Sequence, residues 1–280
     1  MRTLALLLAL LLLVLPGVAA ALTFAPAVNY PAGTNPHGVA SADFDEDGDM
    51  DVAVANWGSS DITIYSNDGT GLLTLSATAP TGASNPTWIE SGDLTGDGHP
   101  DLAISHEGSG GVTVLANNGT GSFEPAYTVS SGSTAHCVHI ADLDGDGDKD
   151  LAVSYRDSYP NLIILLNDGT GAFPSGSSYT TPNGAWQIIA ADFDLDGDLD
   201  IAISSGFYSN TLTILTNDGT ANFINPVNYA VPGGPNSMAV GDLNKDGAPD
   251  IVLGCSDSDD IQVFHNEGTG VMVDAGRLPA

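Results

Sequence analysis

Positive charge is almost missing from this sequence of 280 residues: Lys and Arg total 5 against 35 Asp and Glu, a formal net charge of −30. The cations are Arg2, Lys149, Arg156, Lys245 and Arg277. They are too few for the basic footprint that nucleic acid requires, and the same shortage disfavours an anionic membrane surface. Cysteine is also scarce, with Cys137 and Cys255 alone. The repeat described below puts them in non-adjacent units, so they read as small buried apolar residues rather than a disulfide pair. Past residue 20 there is no sustained helical period and no apolar run long enough to span a membrane. Disorder is excluded by composition, since 42% of residues are hydrophobic and only 14% charged. Glycine is plentiful, at 34, which suits short strands joined by tight turns.

The N-terminus stands apart from the rest. Arg2 precedes the apolar run Leu4–Leu15, which is followed by Pro16-Gly17 and the small residues Val18-Ala19-Ala20. This is the layout of a secretory signal peptide cut near Ala20, and the run is too short to cross a bilayer comfortably. Residues 1–20 are therefore expected to be a leader. Residues 21–280 are expected to be one mature domain, secreted or held at the cell surface.

That domain is repetitive. Aspartate-rich loops begin at Asp43, Asp93, Asp142, Asp192 and Asp242, spaced by 50, 49, 50 and 50 residues. A second motif keeps the same beat: Asn67-Asp68-Gly69-Thr70-Gly71 recurs from Asn117, Asn167, Asn217 and Asn266. Each unit reads as four strands. A short apolar strand leads into the loop, and a second follows it, as in Leu151-Ala152-Val153-Ser154. A third, such as Ile62-Thr63-Ile64-Tyr65, ends in the Asn-Asp-Gly-Thr turn, a hairpin signal. The fourth, as in Phe123-Glu124-Pro125-Ala126-Tyr127, carries a proline and is expected on the sheet edge. The expectation is an all-β fold, a β-propeller of five four-stranded antiparallel blades.

The loops follow D-x-[DNT]-x-D-G-x-x-D. Position 1 is Asp43, Asp93, Asp142, Asp192 and Asp242. Position 3 is Asp45, Thr95, Asp144, Asp194 and Asn244. Position 5 is Asp47, Asp97, Asp146, Asp196 and Asp246. Position 7 is Asp49, His99, Asp148, Asp198 and Ala248, where a backbone carbonyl can serve. Position 9 is Asp51, Asp101, Asp150, Asp200 and Asp250. Hard oxygen donors wrapped by a glycine turn suit Ca²⁺, which takes six to eight of them, better than Mg²⁺. Without an ion the clustered carboxylates would raise one another's pKa. About five Ca²⁺ are expected. Thr95 and Asn244 each replace a charge with a neutral oxygen, so loops 2 and 5 should bind more weakly. The loops hold more than half of the acids, so much of the charge imbalance is a set of candidate metal sites. They are not EF-hands, because position 12 is apolar (Val54, Ile104, Val153, Ile203, Leu253) where that loop needs Glu.

Loop, turn and period together resemble the FG-GAP/VCBS repeat, similar to the repeats of the integrin α-subunit head. The resemblance implies a propeller with Ca²⁺ in the loop joining the first and second strands of each blade. It also implies an extracellular role in adhesion or ligand binding, on the face opposite the calcium loops. Relatives are often seven-bladed, and this chain has five loops. Two closures follow. In a closed ring, the segment Phe24–Tyr30, a copy of Phe223–Tyr229, would complete the last blade and leave Val271-Met272-Val273 spare. The alternative is an open or incomplete arc.

The opposite face collects Trp57, Trp88, His136, Tyr155, Arg156, Trp186 and Tyr208 as candidate ligand contacts, for a sugar or a peptide. Any of these aromatics could instead fill gaps between blades. No nucleophile–base pair, Gly-x-Ser-x-Gly elbow, His-rich zinc set or phosphate loop occurs, and no enzyme is expected. The favoured role is binding an extracellular protein or glycan, as a monomer. A polysaccharide lyase, with Tyr155-Arg156 as its local candidate, and a purely structural envelope repeat are the alternatives.

Overall fold

The computed structural model describes residues 26–108, 111–129, 134–157, 159–206 and 208–279. The expected leader, residues 1–20, lies outside them, as do Phe24 and Ala25. Residues 26–31 contain no strand, and the chain from Ala32 onward is one compact unit. None of its described residues is helical.

Twenty strands form five four-stranded antiparallel sheets, one per repeat. Blade 1 is β1 (Pro36–Ala42), β2 (Asp51–Asn56), β3 (Asp61–Asn67) and β4 (Leu73–Pro80). Blade 2 is β5 (Pro86–Gly92), β6 (Asp101–His106), β7 (Val112–Asn117) and β8 (Phe123–Val129). Blade 3 is β9 (Ala135–Ala141), β10 (Asp150–Tyr155), β11 (Leu162–Leu166) and β12 (Ser175–Tyr179). Blade 4 is β13 (Ala185–Ala191), β14 (Asp200–Ser205), β15 (Thr211–Asn217) and β16 (Phe223–Ala230). Blade 5 is β17 (Pro235–Gly241), β18 (Asp250–Cys255), β19 (Asp260–Asn266) and β20 (Met272–Pro279). The order within each sheet is that of the sequence. The proline-bearing fourth strand is outermost, as expected, and Pro125 sits where the β7–β8 register shifts.

First strands of successive blades pack together, β1 on β5, β5 on β9, β9 on β13 and β13 on β17. Four apolar clusters fill the junctions between neighbours. Phe44, Ile64, Ile104 and Phe123 belong to the first, and Phe193, Ile214, Leu253 and Phe264 to the last. The inner blades' second strands β6, β10 and β14 are buried at every position, whereas β2 and β18 alternate between buried and half-buried residues. No comparable packing joins β17 to β1, so each terminal blade has one uncovered face. The blades form the open arc, not the closed ring. Val271-Met272-Val273 is not spare: Met272 pairs with Asn266 and β20 completes blade 5. Cys137 and Cys255 are buried free thiols, and burial pushes both pKa values up.

Candidate functional site

The five aspartate loops share one backbone plan. The position-1 carboxylate accepts amides from its own loop: Asp43 from Asp47 (3.1 Å) and Gly48 (2.9 Å), Asp142 from Gly145 (2.8 Å) and Gly147 (3.1 Å). Position 6 runs from φ 90° at Gly98 to 104° at Gly197, a region open to glycine. At position 5, Asp47 Oδ1 accepts the Asp49 amide at 3.0 Å. The position-9 carboxylate is buried in all five loops and braces loop against turn. Asp51 accepts the Phe44 amide (3.0 Å) and the Asn67 amide (2.8 Å), and Asp150 accepts those of Leu143 and Asn167 (both 2.9 Å).

In four loops carboxylates gather into trios whose oxygens lie within 4.8 Å of one another, three of them including the position-9 brace: Asp43, Asp45 and Asp51; Asp93, Asp97 and Asp101; Asp142, Asp144 and Asp146; Asp192, Asp194 and Asp200. At position 3, Asp45 Oδ1, Asp194 Oδ1 and Thr95 Oγ1 are buried with no hydrogen-bond partner. Burial, then repulsion from neighbouring carboxylates, raises the pKa of Asp45 and Asp194. Burial raises Asp101, and pushes Asp150 and Asp200 up to about 6, against the amides they accept. A set of hard, under-satisfied oxygens around a glycine turn fits a calcium-sized cation. Loop 5 forms no such trio among the described residues, and its Asn244 Nδ2 donates to Asp246 Oδ2 at 2.7 Å.

At position 7, where a backbone carbonyl is the expected donor, the side chains stand outside the trios. Asp49, Asp148 and Asp198 lie over the turn glycine of their own blade, 2.6 Å from where a Cβ on Gly69, Gly169 or Gly219 would fall. His99 pairs with Glu46 of the preceding blade, which raises its pKa, and Ala248 is buried. Only the backbone carbonyl remains as a donor at this position.

On the opposite face, His37, Trp88, Glu107, His136, Arg156 and Trp186 line a hollow of about 290 Å³. Glu107 is its hub. Its carboxylate accepts from His136 Nδ1 (3.0 Å), Arg156 Nη1 (3.3 Å) and Trp57 Nε1 (3.4 Å), and the His136 contact foremost holds its pKa down. His136 packs on Trp186 with ring centroids 4.1 Å apart, and the Arg156 guanidinium lies 5.8 Å from the Trp186 centroid. Tyr208 is exposed beside a second hollow that Arg156 also lines. Tyr155 is a correction: it is 1% exposed, in the apolar cluster between blades 2 and 3. Strand alternation turns the last residue of β10 inward and leaves Arg156 facing out.

The sequence profile of the FG-GAP-like repeat matches residues 45–104, 93–153, 142–203 and 196–253. The chain belongs to the FG-GAP-like repeat family. No curated protein matches the chain significantly. Among solved structures it is similar to an Agrocybe aegerita lectin that recognises non-reducing terminal N-acetylglucosamine. The two share 21% identity at a TM-score of 0.59, over 85% of this chain and 65% of the lectin. It is also similar to a Lactobacillus plantarum protein, at 17% identity and TM-score 0.64, over 89% of this chain and 72% of that one. A streptogramin B lyase follows, at 16% identity and TM-score 0.57, over 88% and 69%. The chain thus spans less than two thirds of the lectin's length. At these identities the likeness is one of fold.

Two features of this FG-GAP-like chain escape a reading of single motifs. Glu107 stands at the repeat position of Trp57 and Arg156, and alignment of the units shows that, but not that all three converge. The turn asparagine does more than shape a hairpin. Asn117, Asn167, Asn217 and Asn266 donate Nδ2 to the position-2 carbonyl of the preceding blade (Phe44, Leu94, Leu143, Phe193) at 2.7 to 2.8 Å. The presence of Asn in all five turns, where Gly alone would supply the positive φ, is the signal for that second role.

Proposed function

We propose that this chain is a secreted calcium-binding repeat module that recognises an extracellular protein or glycan on the face opposite its aspartate loops. The observation that carries the calcium reading is the set of buried position-3 oxygens, Asp45 Oδ1, Thr95 Oγ1 and Asp194 Oδ1, left without a partner inside their loops. Buried polar atoms are normally paired, and an ion is the partner this donor chemistry suits. The apolar leader supports export. The hollow around Glu107 supports recognition: half-buried Trp88 and Trp186 offer flat faces beside a carboxylate, an imidazole and a guanidinium. Calorimetry with Ca²⁺ and Mg²⁺ tests the first half. Saturable heat with Ca²⁺ is expected, with Asp45→Ala and Asp194→Ala each removing about one site from the stoichiometry, and an unchanged stoichiometry in both variants, or equal binding of Ca²⁺ and Mg²⁺ by the unaltered chain, would overturn it. A glycan array and extracellular protein pull-downs with Trp186→Ala as control test the second.

A polysaccharide-cleaving enzyme is the second reading, favoured by Arg156 and His136 facing the same hollow. Cleavage of an acidic polysaccharide that disappears in Arg156→Ala would establish it in place of binding alone.

A further inference from the structure

Within the chain, every junction between blades is built to one plan. The position-2 side chain of one blade is buried against the next: Phe44, Leu94, Leu143 and Phe193 are all at most 1% exposed. Its carbonyl takes the asparagine of the next blade's turn. The residue at position 4 is always left-handed in φ, and where it carries a side chain inside the arc that side chain reaches the next blade's turn glycine or its position 7. Glu46 meets His99. Leu195 occupies the space where a Cβ on Gly268 would lie, beside Ala248. Gly96 and Gly145 carry no side chain there. Opposite charges meet at one junction and apolar groups at another.

The two ends of the arc carry the two unmatched halves of this plan. On blade 5, Leu243 is 53% exposed where its four equivalents are buried. On blade 1, Asn67 Nδ2 reaches the Met50 carbonyl of its own blade, at 3.1 Å, with no preceding blade to bond. Gly71 and Val39 are exposed there, whereas Gly121, Gly171 and Gly270, and Ile89, Val138, Ile188 and Met238, are buried. The halves also match in charge. Position 4 of blade 5 is Lys245, at φ 65°, a left-handed backbone that a non-glycine residue adopts at a cost. Its ammonium pairs with no carboxylate among the described residues. Position 7 of blade 1 is Asp49, whose carboxylate lies over Gly69, where a position-4 side chain from a preceding blade would arrive.

We propose that the chain associates head to tail with a second copy of itself. The Leu243 edge of blade 5 seats on the Asn67–Leu73 edge of blade 1 of the next copy, and Lys245 pairs with its Asp49. Both surfaces are on one molecule, and the four internal junctions are the template for how they fit. Such a contact is heterologous, so copies add in a row unless the rotation closes. The proposal differs from the monomer expected from the sequence. It is independent of the calcium reading, since the Asp49 side chain lies outside the carboxylate trios.

Sedimentation equilibrium of the mature chain, in calcium and in EDTA, tests it. The weight-average mass should rise with concentration. Lys245→Glu and Asp49→Lys should each weaken association by at least about tenfold, and the double reversal should restore it. Melting curves check that the variants fold, and Lys245 is exposed in a loop that tolerates Gly at the same place. A mass that stays at one chain up to about 0.5 mM, an affinity weaker than a specific contact needs, would sink the proposal. So would single reversals without effect. A cysteine pair, Lys245→Cys on one preparation and Asp49→Cys on another, should yield a mixed disulfide dimer. If instead a chain carrying both Lys245→Cys and Asp49→Cys closes only on itself, the edges meet within one molecule and the proposal is wrong.

Discussion

His106 holds in blade 2 the register place that Asn56 holds in blade 1, opposite Pro86 and Pro36 respectively. Asn56 Nδ2 donates to Thr63 Oγ1 at 2.9 Å and to Asp61 at 2.8 Å. In blade 2 the corresponding Thr113 Oγ1 and both His106 ring nitrogens are buried without hydrogen bonds. Burial pushes the His106 pKa down to about 4, with the Ser84 carbonyl opposing but not in bonding geometry. A folded pKa below the unfolded value means that the unfolded chain binds the proton first. Stability from neutral His106 is therefore present above pH ~6.5 and lost as pH falls towards 4, by roughly 3 kcal/mol in all. The expected outcome is that His106→Asn, which can bond Thr113 as Asn56 bonds Thr63, flattens the acid limb of a stability–pH curve over that window. An unchanged limb in urea titrations at several pH values would remove His106 as its source.

At the scale of loop and turn, the same asparagine can be tested where it spans a junction and where it does not. Asn167 Nδ2 donates to the Leu94 carbonyl of blade 2 and to the Lys149 carbonyl of its own blade, whereas Asn67 reaches Met50 alone. Removing a donor from a buried carbonyl costs about 1–3 kcal/mol. Asn167→Ala should therefore destabilise by about 2–4 kcal/mol and Asn67→Ala by less than about 1.5 kcal/mol, measured by chemical denaturation; equal losses would deny the junction its role. The aspartate loops carry a pH signature of their own. Asp150 and Asp200 have folded pKa values raised to about 6, so protons compete with a cation for them. Calcium affinity should fall as pH drops from 7 to 5, and titrations should show loops 1, 3 and 4 filling before loops 2 and 5, where Thr95 and Asn244 replace a charge. Loop, turn and strand order were legible in the sequence because each rests on local chemistry: oxygens at alternate positions, glycine where φ must be positive, proline on an edge. The role of Asn167 across the junction and the convergence of Trp57, Glu107 and Arg156 were not, because they depend on how one blade sits on the next. Tyr155 misled for a similar reason: its neighbour Arg156 does face the hollow, and strand alternation places adjacent residues on opposite sides.

Across the molecule, stability is a sum over blades and junctions, because each blade packs only on its neighbours. Blades 2, 3 and 4 have two covered faces, and their second strands are buried throughout. Blade 5 has one, and it also has the weakest loop: no carboxylate trio among the described residues, Asn244 in place of a charge, and Leu243 in water. An ion that binds only the folded loop adds stability by mass action, RT ln(1 + [L]/Kd), or about 2.7 kcal/mol per loop at a hundredfold excess over Kd. Chelation should therefore lower the melting temperature, and it should do so unevenly. In EDTA the amides of β18 and β19 should exchange with solvent before those of β10 and β14, with loss propagating from blade 5 inward rather than from every blade at once. The excess calcium that protects the inner blades should protect blade 5 least, since its loop alone gathers no carboxylate trio among the described residues. Hydrogen exchange read by mass spectrometry distinguishes the cases. Uniform exchange across all five blades would mean a single cooperative unit, as in a closed ring, and a melt that ignores EDTA would mean that the loops hold their shape without an ion.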